Sequence, residues 1–157
     1  MKRIITVFLL LTLVLSVCAC NGGADGKKDY EFKAAGVTLK IGDAASVIDA
    51  LGAPVAKDES ESCGGIPGVD VVYLFVGFKV YTTPAKSGNV INKIEVTDDS
   101  VKTPEGVFVG MEKKLVTSAM GAPTTESATS LVYEGESMKL TFILRDSIVT
   151  NIQYVAK

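Results

Sequence analysis

The sequence predicts an α+β fold of two tandem repeats, each a short helix packed on a three- to four-stranded antiparallel sheet. Three observations carry that expectation. A short apolar stretch closes on Gly and Pro twice, as ALGAPV at 50–55 and AMGAPT at 119–124. Each closure is followed by segments with β-like alternation. Those segments also match in order: Tyr73 corresponds to Tyr133, Phe78-Lys79-Val80 to Met138-Lys139-Leu140, and Val90 through Ile94 to Ile148 through Ile152.

The first twenty residues, MKRIITVFLLLTLVLSVCAC, read as a targeting segment. Lys2 and Arg3 form a positive n-region, and the apolar run 4–17 is too short to span a bilayer comfortably. Val17-Cys18-Ala19-Cys20 resembles the bacterial lipobox, where cleavage precedes a diacylated Cys. Ala19 supplies the small residue before the cut, so Cys20 is the expected lipidation site. The domain layout is then a lipoprotein signal peptide at 1–19, the lipidated Cys and a flexible Gly-rich tether at 20–29, and repeats at 30–99 and 100–157. Lipidation places the protein on the outer face of the cell membrane, held through diacylglycerol on Cys20.

Removing residues 1–19 leaves 138 of the 157 residues, with 14 basic against 18 acidic side chains, a net charge of −4. No basic run follows the signal, so nucleic acid is not an expected partner. Cys18 leaves with the signal and Cys20 is lipidated. Cys63 is then the only free thiol, and no disulfide can form within the chain.

In the first repeat, Ala44, Val47, Ile48 and Leu51 fall at i, i+3, i+4 and i+7, on one side of a helix. Asp43 is the expected cap, with Gly52 and Pro54 as the stop. In the second, Met111, Leu115 and Ala119 line the helix, and Gly121 and Pro123 stop it. Both helices last barely three turns and need a sheet to lie on. The strand segments are 71–76, 78–83 and 90–97 in the first repeat, and 131–134, 138–143 and 148–155 in the second. Gly77 and Arg145-Asp146 read as hairpin turns. Leading strands are expected at 37–41 and 107–109.

This pattern, G-x₄₋₆-V/L-x₂-A-L/M-G-x-P followed by Tyr, a hairpin and V-x₂-I, resembles the repeat of β-lactamase inhibitor protein-like lipoproteins. It is also similar to the single unit of the small outer-membrane assembly lipoproteins of the SmpA/OmlA family. Most closely, residues 36–157, with VTDDSVKTPEGVFVGM at 96–111, resemble a group of clostridial lipoproteins. The resemblance implies helix-on-sheet layers and a role in protein binding or envelope assembly. Its motifs are structural, and it transfers no contact residue.

Enzyme readings find little support. The chain has no His, so it has no Ser-His or Cys-His pair and no His metal ligand. GGIPG at 64–68 lacks the Lys-Ser/Thr of a phosphate-binding loop. No cofactor is expected. Asp58, Glu59 and Glu61, and the pair Asp98-Asp99, read as solvated loop charges, with weak Ca²⁺ or small-ligand binding as the alternative. Cys63 sits among acids that work against a reactive thiolate, and reads as a small, partly buried side chain. A thiol-dependent function, or pairing with another chain if it is exposed, is the alternative.

Two surfaces remain as candidates for a protein or envelope partner. Pro54 to Tyr73 spans 19 positions but Pro123 to Tyr133 only 10, so a longer loop at 57–68 carries Cys63. If Tyr73 and Tyr133 face the helices, alternation turns Val72, Leu74 and Val76 to the opposite face. Tyr81 and Ile91 join them, with Lys79, Lys93 and Glu95 at the margins. The corresponding face of the second half, with Val132, Glu134, Lys139, Thr141, Ile143, Asn151 and Gln153, is more polar. An apolar patch on an otherwise solvated sheet face points either to contact with a partner or to packing of the two halves on each other there.

Overall fold

The structure, a computed structural model, describes residues 28–157. The expected signal peptide, the expected lipidation site Cys20 and most of the expected tether lie outside the described residues. Strands dominate, with about 48% of the described residues in strands against 12% in helices. The strands are β1 (Phe32–Ala34), β2 (Val37–Leu39), β3 (Ala56–Glu61), β4 (Val69–Phe75), β5 (Phe78–Ala85), β6 (Gly88–Val96), β7 (Thr125–Glu126), β8 (Ser130–Glu134), β9 (Met138–Arg145) and β10 (Ile148–Ala156). Among the described residues the helical ones lie in a 3₁₀ helix (Ala45–Leu51) and in α1 (Lys113–Met120).

The expectation of tandem helix-on-sheet units is therefore corrected. β3 to β10 form one eight-stranded antiparallel sheet in the order β3-β4-β5-β6-β10-β9-β8-β7, and β1 and β2 form a separate two-stranded ribbon. What joins the two halves is the pairing of β6 with β10, from Val96 opposite Ile152 to Lys93 opposite Val155. That pairing links segments more than fifty residues apart, and no local pattern announces it.

The physical reason for a single layer is burial. Val80, Ile94, Tyr154, Leu140 and Tyr133 follow one another across β5, β6, β10, β9 and β8 on one face, each 2% exposed or less. The ribbon lies over this row: the Phe32 ring sits 5.0 Å from Phe78 and 5.7 Å from Tyr154. Ile48 of the 3₁₀ helix and Val116 of α1 join the same cluster. One core thus serves both halves, since either alone would bury too little apolar surface to be stable.

The helices are smaller than expected. The first is 3₁₀, since seven residues without a side-chain cap gain little from the wider α-helical turn. Asp43 does not cap it; its Oδ2 accepts from the Lys40 N–H at 2.8 Å and shapes the turn before it. In α1 the buried residue is Val116, whereas Leu115 is 49% exposed, so the expected Met111-Leu115-Ala119 line is one position out of phase. The Gly stops have a clear cause. Gly52 and Gly121 hold φ of 86° and 81° with ψ near −170° and −164°, a region only glycine occupies comfortably.

Six strand segments lie where alternation put them, with shifted ends. Segment 37–41 shortens to β2 in the ribbon, and 107–109 is not a strand. β3 was expected as loop. It reads AKDESE with every residue exposed, and forms the sheet edge by pairing with β4 from Ala56 opposite Leu74 to Glu61 opposite Val69. The last residue of the expected tether is held against the sheet. Asp29 is fastened to the β8–β9 turn, where Ser137 N–H donates to Oδ1 at 2.9 Å and its hydroxyl donates to Oδ2.

Candidate functional site

A sheet covered on one side leaves the other side to solvent or to a partner. On the open face two rows of side chains cross β4, β5 and β6 into β10. One runs Val72, Tyr81, Lys93, Val155; the other runs Leu74, Lys79, Glu95, Gln153. All eight are half-buried, because neighbouring strands 4.7–4.9 Å apart press the side chains against each other.

Glu95 organises the middle of this face. The Tyr81 hydroxyl donates to its Oε2 at 2.7 Å, and the Lys93 ammonium stands 3.3 Å from the same oxygen. On the other side of the β6–β10 junction the Asn151 amide donates to Oε1 at 3.0 Å, and the Gln153 amide reaches it at 3.5 Å. Lys93 also lies 4.8 Å above the Tyr81 ring, a cation–π contact. Burial of the carboxyl works to raise its pKa. The Tyr81 hydroxyl, the Lys93 charge and the Asn151 amide outweigh it and hold the group below its usual range. Tyr81 moves the other way, to about 12, through burial and then through its bond to Glu95. The network therefore keeps Glu95 charged and Tyr81 protonated at neutral pH. It offers a fixed aromatic and charged surface.

Of the residues expected on this face, Val72, Leu74, Lys79 and Tyr81 lie there together. Ile91 does not. Tyr81 pairs with Lys93 but Thr82 pairs with Ile91, so Asn92 is an extra residue, a bulge that turns Ile91 into the core at 0% exposure. Val76 is also elsewhere: it lies in the β4–β5 turn, 73% exposed. Asn151 and Gln153, expected on the more polar face of the second half, prove to be Glu95's partners across the junction.

Cys63 is exposed in the loop after β3, which corrects its expected partial burial. That loop spans only 62–68, since β3 takes up the rest. Alternation along β3 puts Asp58 on one face and Glu59 and Glu61 on the other, so these acids do not converge. Glu59 is instead bound to Lys57 at 2.7 Å. The Asp98 carboxylate is occupied by the Ser100 N–H at 2.9 Å. Among the described residues, no group of three His, Cys, Asp or Glu side chains is arranged to hold a metal ion.

One cleft had no sequence signal. A cavity of about 770 Å³ lies between α1 and the β9–β10 turn, with Lys113, Glu126, Asp146 and Ile148 on its walls, and Lys113 bound to Glu126 at 2.6 Å. Its residues come from 112–126 and from 146–148, two stretches that the fold brings together.

Comparison with known proteins finds no matching family model, no matching curated protein and no matching solved structure. The functional reading rests on the chain's own residues.

Proposed function

We propose that this protein is an extracytoplasmic lipoprotein, anchored through diacylglycerol on Cys20, whose folded part is a non-enzymatic module that binds a protein or envelope component. Its contact surface is the open sheet face over β4, β5 and β6. The observation that carries this reading is the pair of rows centred on Tyr81 and Glu95. They combine aliphatic Val72 and Leu74, an aromatic ring and a stacked lysine on a rigid sheet. Binding surfaces draw their energy from such aromatic and aliphatic anchors, and from charges already held in place before the partner arrives. The Glu95 network supplies that preorganisation.

The test is a pair of substitutions read against a control. A photo-crosslinking side chain at position 79 should capture a defined partner on intact cells. V72E/L74E should abolish the capture while thermal unfolding stays cooperative, and T141E, on the same face beyond the junction, should leave it intact. Capture that survives V72E/L74E would place the contact on another surface.

A further inference from the structure

The geometry points to a second surface: the end of the molecule carrying Val55 and Val76 rests against the lipid bilayer, with lipid headgroups as its occupant. This inference rests on the lipidation of Cys20.

A groove of about 510 Å³ opens where the β1–β2 turn, the exit of the 3₁₀ helix and the β4–β5 turn meet. Val55 and Val76 stand on it, each 73% exposed, the most exposed large hydrophobic side chains among the described residues. The only charged side chains lining it are Lys33 and Lys102. Among the described residues Lys33 is paired with Glu31 alone, at 3.7 Å. Lys102 is in no ion pair among the described residues; its ammonium lies 4.9 Å over the Phe108 ring. The charges on the groove wall itself are thus positive, although the chain is acidic overall. Aliphatic side chains flanked by lysines suit the boundary between acyl chains and anionic headgroups, where the valines enter and the ammonium groups meet phosphate. The nearest acids are Asp98 and Asp99, just before the groove-lining Ser100; the Asp98 carboxylate lies against Gly77 and accepts from the Ser100 N–H at 2.9 Å, so it is turned onto the chain itself. Glu31 and Glu105 lie on the far side of Lys33, in a separate depression, and Asp29 is engaged by Ser137.

The anchor allows this orientation. From Cys20 to Lys28 the chain can span at most roughly 28 Å. Lys28 and Lys33 border the same depression beside the groove, so the lipid attachment and the groove can reach the same bilayer surface. Docking by this end uses the side of the sheet that carries Phe75 and Phe78, and leaves the open face with Tyr81 and Glu95 uncovered.

The test uses the full-length lipidated protein, reconstituted into phosphatidylcholine vesicles with and without phosphatidylglycerol. One sample carries an environment-sensitive fluorophore at V76C in a C63S background. The other carries it on native Cys63, at the opposite end of β4. A nitroxide in the lipid headgroup region should quench the V76C probe and spare the Cys63 probe. K33E/K102E should lower the docked fraction by roughly tenfold in phosphatidylglycerol vesicles. Protein that floats with the vesicles yet leaves the V76C probe in water overturns the docking surface alone. Protein whose Cys20 carries no lipid by mass overturns the anchor and this inference together. Shielding of V76C that follows protein concentration without vesicles assigns the groove to a second copy of the chain, and also overturns it.

Discussion

Glu95 shows how one residue can fasten a sheet and define its surface. Four side chains converge on its carboxylate, two from its own half and two from β10, and its side chain is left 17% exposed. Because its pKa is held below the ordinary 4.5, the ionised form stabilises the folded state above that pH. The contribution is lost as pH falls through the lower folded value. Wild-type protein should therefore lose melting temperature on acidification below about pH 4.5 more steeply than E95Q, measured by thermal unfolding across pH. Parallel profiles would show that the carboxylate's partners contribute nothing in solution. Tyr81 has the opposite sign: its phenol is stabilised in the neutral form, a contribution present below pH 10 and lost as pH rises toward 12.

Among the elements, α1 makes the most testable claim, because its buried side differs from the one its apolar spacing suggests. Val116 is fully buried while the larger Leu115 is half exposed. Val116→Ala should cost about 1–3 kcal/mol of stability through the cavity it leaves. Leu115→Ala should cost about 0.5 kcal/mol or less, as for an ordinary surface position. Denaturant unfolding of the two variants separates them; the reverse order would restore the Met111-Leu115-Ala119 line. The same elements mark what the sequence discloses. Strands at 71–76, 78–83, 131–134 and 138–143 are legible because one face is apolar and the period is two. β3 is not legible: AKDESE has no apolar face, and it is a strand only because β4 offers it hydrogen bonds. Ile91 is misplaced by the same logic, since one inserted residue at Asn92 reverses every side chain upstream of it. Helix phase fails at Leu115 because a helix of eight residues shows barely two turns of pattern.

At the scale of the molecule, one core under one sheet replaces two packed units, and this changes the meaning of the open face. Val72, Leu74, Lys79 and Tyr81 are legible as a surface from alternation alone. Their link to Asn151 and Gln153 needs the β6–β10 pairing, which brings together residues 56 and 58 positions apart. The resulting surface is continuous across the junction, apolar and aromatic on the β4–β6 side and polar beyond it. Membrane docking by Val55 and Val76 would leave that surface free for a partner. Lysine acylation footprinting, comparing intact cells with the purified protein, tests the central claim most directly. The account predicts that Lys79, between Leu74 and Glu95, is protected in cells, while exposed Lys114 and Lys139 react equally in both settings. Equal reactivity of Lys79 in the two settings would contradict it.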